Sequence, residues 1–187
     1  MSEESERDQR AIASMRFLVG QMISAPQVAP DPVNMPMIRH WAAALEDHSP
    51  VYVDPEFAAR TRFGGIVAPP LMLQTWTMPT PKISGIAERG GSPVEGGKNP
   101  LTPLDDAGFI ATLATNSEFE ILRYLRLGET ITSKMVIESI SDLKKTRLGP
   151  GVFVTWVTSF YDERDEVVGR QTFRILKFRP DLEALLG

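Results

Sequence analysis

The amino-acid sequence predicts an α+β domain in which a long antiparallel sheet wraps around one central helix. Three observations carry this. The first half has helical periodicity, the last third alternates as strands do, and the helix between them, Leu71–Met78, is apolar almost all round. Such a helix has to be buried, and a sheet is available to cover it. With 187 residues, 42% apolar and 24% charged, the chain can fill one packed core, and residues 1–187 are read as a single domain.

The elements follow in order. A polar start leads into a short helix, Gln9–Leu18. Asn34 is placed to cap a helix from about Met35 to Glu46, with Pro36 tolerated in its first turn. Ile38, Trp41, Ala42 and Leu45 recur at helical spacing and form its buried face, and His40 points the other way, towards solvent. Asp47–Asp54 is irregular. Asp54 then caps a second short helix, with Pro55 in its first position. Phe63–Pro70 leads into Leu71–Met78, which Pro79 and Pro81 stop.

Residues 79–116 are rich in glycine and proline and are read as a loop insertion, mobile or at a cavity mouth. Four strands follow: Ser117–Leu127, Thr130–Leu143, Val152–Asp162 and Val167–Arg179. Gly128-Glu129, Thr146–Gly151 and Asp162–Asp165 read as their connections.

Composition removes several classes of function. A net charge of -4 argues against a general grip on nucleic acid. No cysteine is present, which excludes disulfides, thiolate nucleophiles, cysteine–zinc sites and iron–sulfur clusters. Two histidines, His40 and His48, cannot make a histidine-rich metal site, so no metal and no cofactor is expected. The acidic start is unlike a signal peptide. The uncharged run Phe63–Pro81 holds four prolines, a poor membrane span. The expected location is the cytoplasm, with no membrane partner.

No nucleophile elbow, dinucleotide fingerprint or zincin motif occurs. Gly96-Gly97-Lys98 resembles a phosphate loop, but Asn99 and Pro100 follow where a hydroxyl residue and a helix are needed. Asp105, Asp106 and Asp142 read as solvated carboxylates. Trp76, Phe109, Phe119 and Tyr124 read as core. His48, beside Asp47, is either a general base or a turn histidine with no role.

The stretch from Trp41 to Leu73, WAAALEDHSPVYVDPEFAARTRFGGIVAPPLML, resembles the signature of MaoC-like enoyl-CoA hydratases and dehydratases. In that family a helix ends in an aspartate, an overhanging segment Asp-x-Asn-Pro-x-His-x-Asp follows, and a His-Gly pair opens the central helix. The strands from Glu118 to Ser141 and from Thr146 to Phe178 resemble the family's sheet. The resemblance implies the hot-dog fold.

It also implies a chemistry. An aspartate and a histidine five residues later hold one water and add it across a trans-2-enoyl thioester. A backbone N–H at the start of the central helix polarises the thioester carbonyl. Carried over, the aspartate falls on Asp47, the histidine on Tyr52 and the His-Gly pair on Pro69-Pro70. A tyrosine, with an ordinary pKa of about 10, is a poor base at neutral pH. Proline has no N–H to give.

Chains of this kind are similar to the partner halves of heteromeric hydratases, in which two hot-dogs pack sheet edge to sheet edge. The resemblance therefore implies a non-catalytic subunit whose catalytic MaoC-like partner carries the dyad, as a heterodimer or heterotetramer. Val67, Ala68, Pro69, Pro70, Met72 and Trp76 would wall the pocket of a bulky acyl-CoA, with a steroid side chain as the favoured acyl group. Related subunits continue into a zinc-binding and OB-fold domain, and a chain stopping at Gly187 is expected to be a trimmed form. Two other readings remain: a subunit of a carrier-protein-linked long-chain 3-hydroxyacyl dehydratase, and an acyl-thioester-binding hot-dog with no enzymatic partner.

Overall fold

The computed structural model describes residues 3–85 and 99–181. One antiparallel sheet dominates. Its strands are β1 (Gln27–Val28), β2 (Ala111–Ile121), β3 (Thr132–Ile140), β4 (Lys144–Thr146), β5 (Gly149–Tyr161) and β6 (Val167–Phe178). The spatial order is β1-β3-β5-β6-β2, with β4 hairpinned onto the start of β5. The helices are α1 (Glu3–Arg16), α2 (Met35–Ala44), α3 (Pro50–Val53), α4 (Pro55–Ala59) and α5 (Thr102–Asp106), together with a central 3₁₀ helix, Pro70–Thr77.

The caps form as the local sequence dictates. Asn34 accepts from the Met37 amide at 3.0 Å, and Asp54 accepts from Glu56 and Phe57, each at 3.0 Å. Helix α2 ends earlier than Glu46. Glu46 takes a left-handed φ of 54°, its amide donates to the Ala43 carbonyl, and the Asp47 amide donates back to Ala42 at 2.9 Å. Leu45 thereby leaves the buried stripe and is exposed. His40 faces solvent, as its position on the helix predicts.

The central helix is 3₁₀ rather than α. Its three-residue period puts Leu71, Gln74 and Thr77 on one ridge, and Leu71 and Gln74 are exposed. Burial all round is therefore not what the structure shows. Met72, Leu73 and Trp76 face inward and are each at most 3% exposed. They pack with Ile38, Tyr52, Val67, Leu125, Ile131 and Phe160 in the first of two apolar clusters.

The second cluster lies under α1 and α5. Ala11, Ile12 and Met15 of α1 meet Leu104, Phe109, Ile137, Val152 and Val154. Arg179 ties it together. Its guanidinium donates to Asp8 and to the Ala107 carbonyl, both at 2.8 Å, pairs with Glu4, and stands 4.8 Å over the Phe109 ring. Helix α1 consequently starts at Glu3, ahead of the expected Gln9.

This cluster changes the reading of residues 79–116. Residues 99–116 include α5 and the first part of β2, with Leu104 of α5 and Phe109 of the connection between them fully buried. Asp105 is not simply solvated, because it pairs at 2.5 Å with the buried ammonium of Lys177. The loop expectation also covers residues 86–98, which lie outside the described residues. Strand β2 runs six residues earlier than expected. The chain leaves the sheet after Ile121 and pairs instead with the lead-in of the central helix, through Val67 opposite Arg126 and Ala68 N–H to the Leu125 carbonyl at 2.9 Å.

Candidate functional site

The sequence-predicted site residues gather along one line, from the end of α2 to the central helix. The turn that ends α2 projects Asp47, whose carboxylate accepts from the Ser49 amide at 3.0 Å and so starts α3. Tyr52, on α3, is buried against the first cluster, while His48 is exposed. Burial first, then the neighbouring Tyr124 and Asp47, push the Tyr52 phenol above its ordinary pKa. Tyr52 is thus held neutral and cannot take a proton from water near pH 7. Asp47 lies close enough to act on it electrostatically but spends its hydrogen bond on the turn.

Val67, Ala68 and Pro69 are buried and Pro70 is half-buried. Neither proline has an N–H, so Leu71 supplies the first backbone donor of the central helix. Met72 and Trp76 sit on the buried face, and the Trp76 indole N–H has no hydrogen-bond partner among the described residues. A buried donor left unpaired costs roughly 1–3 kcal/mol. The arrangement is an apolar wall with one spare donor, and it lacks a base and an oxyanion donor at the carried-over positions.

A second feature escaped the sequence reading. Beside Val67 an open groove of about 570 Å³ is lined by Arg62, Arg123, Arg126, Arg164 and Glu129. Arg123 bridges Glu129 at 2.8 Å and Asp162 at 2.8 Å. The arginines come from three separate segments, so no local motif announces them. Among the described residues no group of three or more acidic or histidine side chains could hold a metal ion. No helix among them is long and apolar enough to cross a membrane.

Residues 18–171 match the family described as FAS1-like, dehydratase domain region. The chain belongs to this family. It is 44% identical over 163 residues to a probable enoyl-CoA hydratase alpha subunit of Thermomonospora curvata, covering 87% of this chain and 50% of that protein. It is 40% identical over 158 residues to the 3-oxo-4,17-pregnadiene-20-carboxyl-CoA hydratase alpha subunit of Mycobacterium tuberculosis, covering 84% and 48%. The chain therefore spans about half the length of these curated relatives. Among solved structures, the ChsH1-ChsH2 complex from Mycobacterium tuberculosis contains a chain that superposes with a TM-score of 0.75 at 37% identity, covering 94% of this chain and 93% of that one. A MaoC-like dehydratase from Rhodospirillum rubrum matches at a TM-score of 0.55 and 17% identity over 86% of this chain and 94% of that one, which shows the shared fold. This FAS1-like dehydratase domain has the MaoC-like hot-dog fold, and the two relatives described above are named hydratase alpha subunits.

Proposed function

We propose that the chain is the non-catalytic, pocket-forming subunit of a heteromeric enoyl-CoA hydratase. The observation that carries this is the state of Tyr52 and Pro70: a neutral buried phenol and a residue without N–H stand where base and oxyanion donor are needed. The catalytic dyad then resides in a MaoC-like partner. There water adds its oxygen to the β-carbon of a trans-2-enoyl thioester, the α-carbon takes a proton, and the double bond is consumed. This chain's residues wall the acyl pocket. Val67, Ala68, Pro69, Pro70 and Met72 exclude water, and Trp76 offers its spare N–H to a polar group on the acyl chain. A bulky acyl group of the steroid side-chain class is favoured, because a relative with 40% identity is named for such a substrate.

The free edge of the sheet supports a partner. Strand β2 pairs with β6 on one side and with no other described strand, and Thr112–Glu118 are all exposed. Unpaired strand edges of this length invite pairing with another chain. The assay is hydration of an enoyl-CoA by the purified chain, alone and with a dyad-bearing partner. No turnover alone and turnover in the complex are expected. Robust turnover by the chain alone, abolished by Asp47→Ala, would sink the proposal.

A further inference from the structure

We propose that the arginine groove beside Val67 is a docking surface that selects the partner subunit. It takes an extended, carboxylate-bearing segment of that partner, continuous with the strand that pairs with the free edge of β2. The inference rests on the subunit reading above and names the chemistry by which one partner is chosen over another.

The groove opens where the free edge of the sheet ends. Ile121, the last residue of β2, and Leu122, the next one, line it together with Val67 and the arginines. Thr112–Glu118 of the same strand are exposed, and β2 pairs only with β6 among the described strands. A strand added to that edge therefore continues past Ile121 into the groove as it leaves the sheet. Apolar surface waits there: Leu122 is 50% exposed, and the rings of Phe63 and Tyr124 stand 4.9 Å apart between centroids. Aromatic side chains and arginine are the residue types most enriched at protein interfaces, so the mixture suits a peptide segment better than a bare anion.

The charge of the groove is opposite to that of the chain. The protein carries a net charge of -4, yet the groove is lined by four arginines and one glutamate. That glutamate is already answered, because Glu129 accepts from Arg123 at 2.8 and 3.0 Å and from the Arg126 amide at 2.9 Å. Arg123 also donates to Asp162 at 2.8 Å, which makes it a fixed strut. Two further carboxylates of the β5–β6 turn are engaged elsewhere: Glu163 accepts from the Thr130 amide, and Asp165 pairs with Lys134 at 2.8 Å. Glu166 of that turn is exposed and does not line the groove. Three guanidiniums remain. Arg62 lies over the Phe63 ring at 4.9 Å, and neither it nor the Arg126 side chain has a carboxylate partner among the described residues. Arg164 reaches Asp162 only at 3.9 Å.

Guanidiniums pair with carboxylates through parallel N–H bonds, which fixes orientation as well as charge. In an extended segment, side chains two positions apart share one side at a spacing of about 7 Å, so carboxylates at alternate positions reach separate arginines of one groove. Complementary charge of this kind speeds encounter and penalises wrong partners more than it adds affinity. A partner strand ending in neutral or basic residues would leave three cations unanswered. The chain's own edge is a poorer occupant, because Glu120 of β2 is already paired with Arg170 at 2.7 Å and only Glu118 is left on that strand.

The experiment follows association of the purified chain with its dyad-bearing partner by surface plasmon resonance, at about 50 and about 500 mM salt. The groove variant Arg62→Glu, Arg126→Glu breaks no ion pair among the described residues. A control, Arg10→Glu, Arg147→Glu, makes the same change of net charge on α1 and in the β4–β5 turn. At low salt the groove variant should associate about tenfold more slowly, with dissociation little changed, and the difference should shrink at high salt. The control should stay within about twofold of the wild type. A short synthetic peptide alternating valine and glutamate should compete with the partner, and its glutamine counterpart should not. Equal association rates of groove variant and wild type would overturn the proposal, as would equal slowing by the control. So would a groove variant that loses self-association in sedimentation and keeps its rate with the partner, which would make a second copy the occupant. The two readings fail separately. An active complex that forms at the same rate with the groove variant keeps the subunit role and removes the docking groove. A partner whose association depends on the arginines but which gains no activity keeps the groove and removes the subunit role.

Discussion

Leu73 of the central helix occupies the space that a side chain on Gly169 of β6 would need. A Cβ at position 169 would lie 2.7 Å from Leu73 Cδ2 and 2.8 Å from the Glu120 carbonyl oxygen of β2. Helix, β6 and β2 thus meet at a glycine, and the missing side chain lets the helix settle against the sheet.

Gly169→Ala is expected to destabilise the fold by about 1–3 kcal/mol, because the Leu73 side chain can move but the Glu120 carbonyl is held in the ladder. Urea denaturation measures it. Leu73→Ala in the same background should recover part of the loss by clearing one of the two contacts, and strict additivity of the two changes would argue against the packing explanation.

Removing the Arg179 clamp should loosen α1 from the sheet. Arg179→Ala leaves Asp8, whose side chain is 5% exposed, without its closest cation. Breaking a fully buried pair costs roughly 3–5 kcal/mol. Arg179 keeps a quarter of its side chain exposed, so a loss on the order of 2 kcal/mol is expected here. Hydrogen exchange should show earlier opening at Ala11–Met15 than at β5.

Acid should unfold the chain partly through the turn between β5 and β6. Burial alone would raise the Asp162 carboxyl, but the Glu166 amide, the Arg123 guanidinium and the Arg164 amide outweigh it and hold the carboxyl below its ordinary value. The Thr130 amide lowers Glu163 in the same way. A depressed carboxyl stabilises the fold fully above its unfolded pKa of about 4, and the contribution is lost as pH falls through the lower folded value. Asp162→Asn should lower stability at neutral pH and make the acid limb of stability against pH shallower. An unchanged acid limb would rule this turn out as the titrating element.

Tyr52→Phe is expected to leave the hydration rate of the complex nearly unchanged, since the neutral phenol takes no proton. Loss of a general base would instead lower the rate by roughly 10² or more. Tyr52→His should not create activity in the chain alone, because Pro70 still has no N–H for the thioester oxygen. Steady-state rates of each variant, with and without partner, decide both points.

The features that were readable in advance are those set within a few residues. Asn34 and Asp54 cap helices because their side chains reach amides two or three positions on. Asp162–Asp165 turns between strands for the same reason, its Oδ1 reaching the amides of Arg164 and Glu166. Tyr52 and the two prolines were singled out by residue type, and the missing N–H at Pro70 is a covalent fact that no fold can alter. Local sequence misplaced β2 because Leu122–Leu127 is as strand-like as the segment before it.

By itself the sequence determined an apolar helix demanding cover, the long strands of the last third, and the residue types at positions 52 and 70, whereas the short strand β1, which comes before α2, appears only in the structure. Only the tertiary structure decided that residues 99–116 help build a second core, that Lys177 and Asp105 pair, and that four arginines from three segments share one groove. The reason is distance along the chain. Arg179 and Asp8 are 171 residues apart, and the contact exists only once folding has brought the residue that follows β6 to the buried face of α1. Such contacts depend on the whole packing arrangement, which no window of neighbouring residues contains.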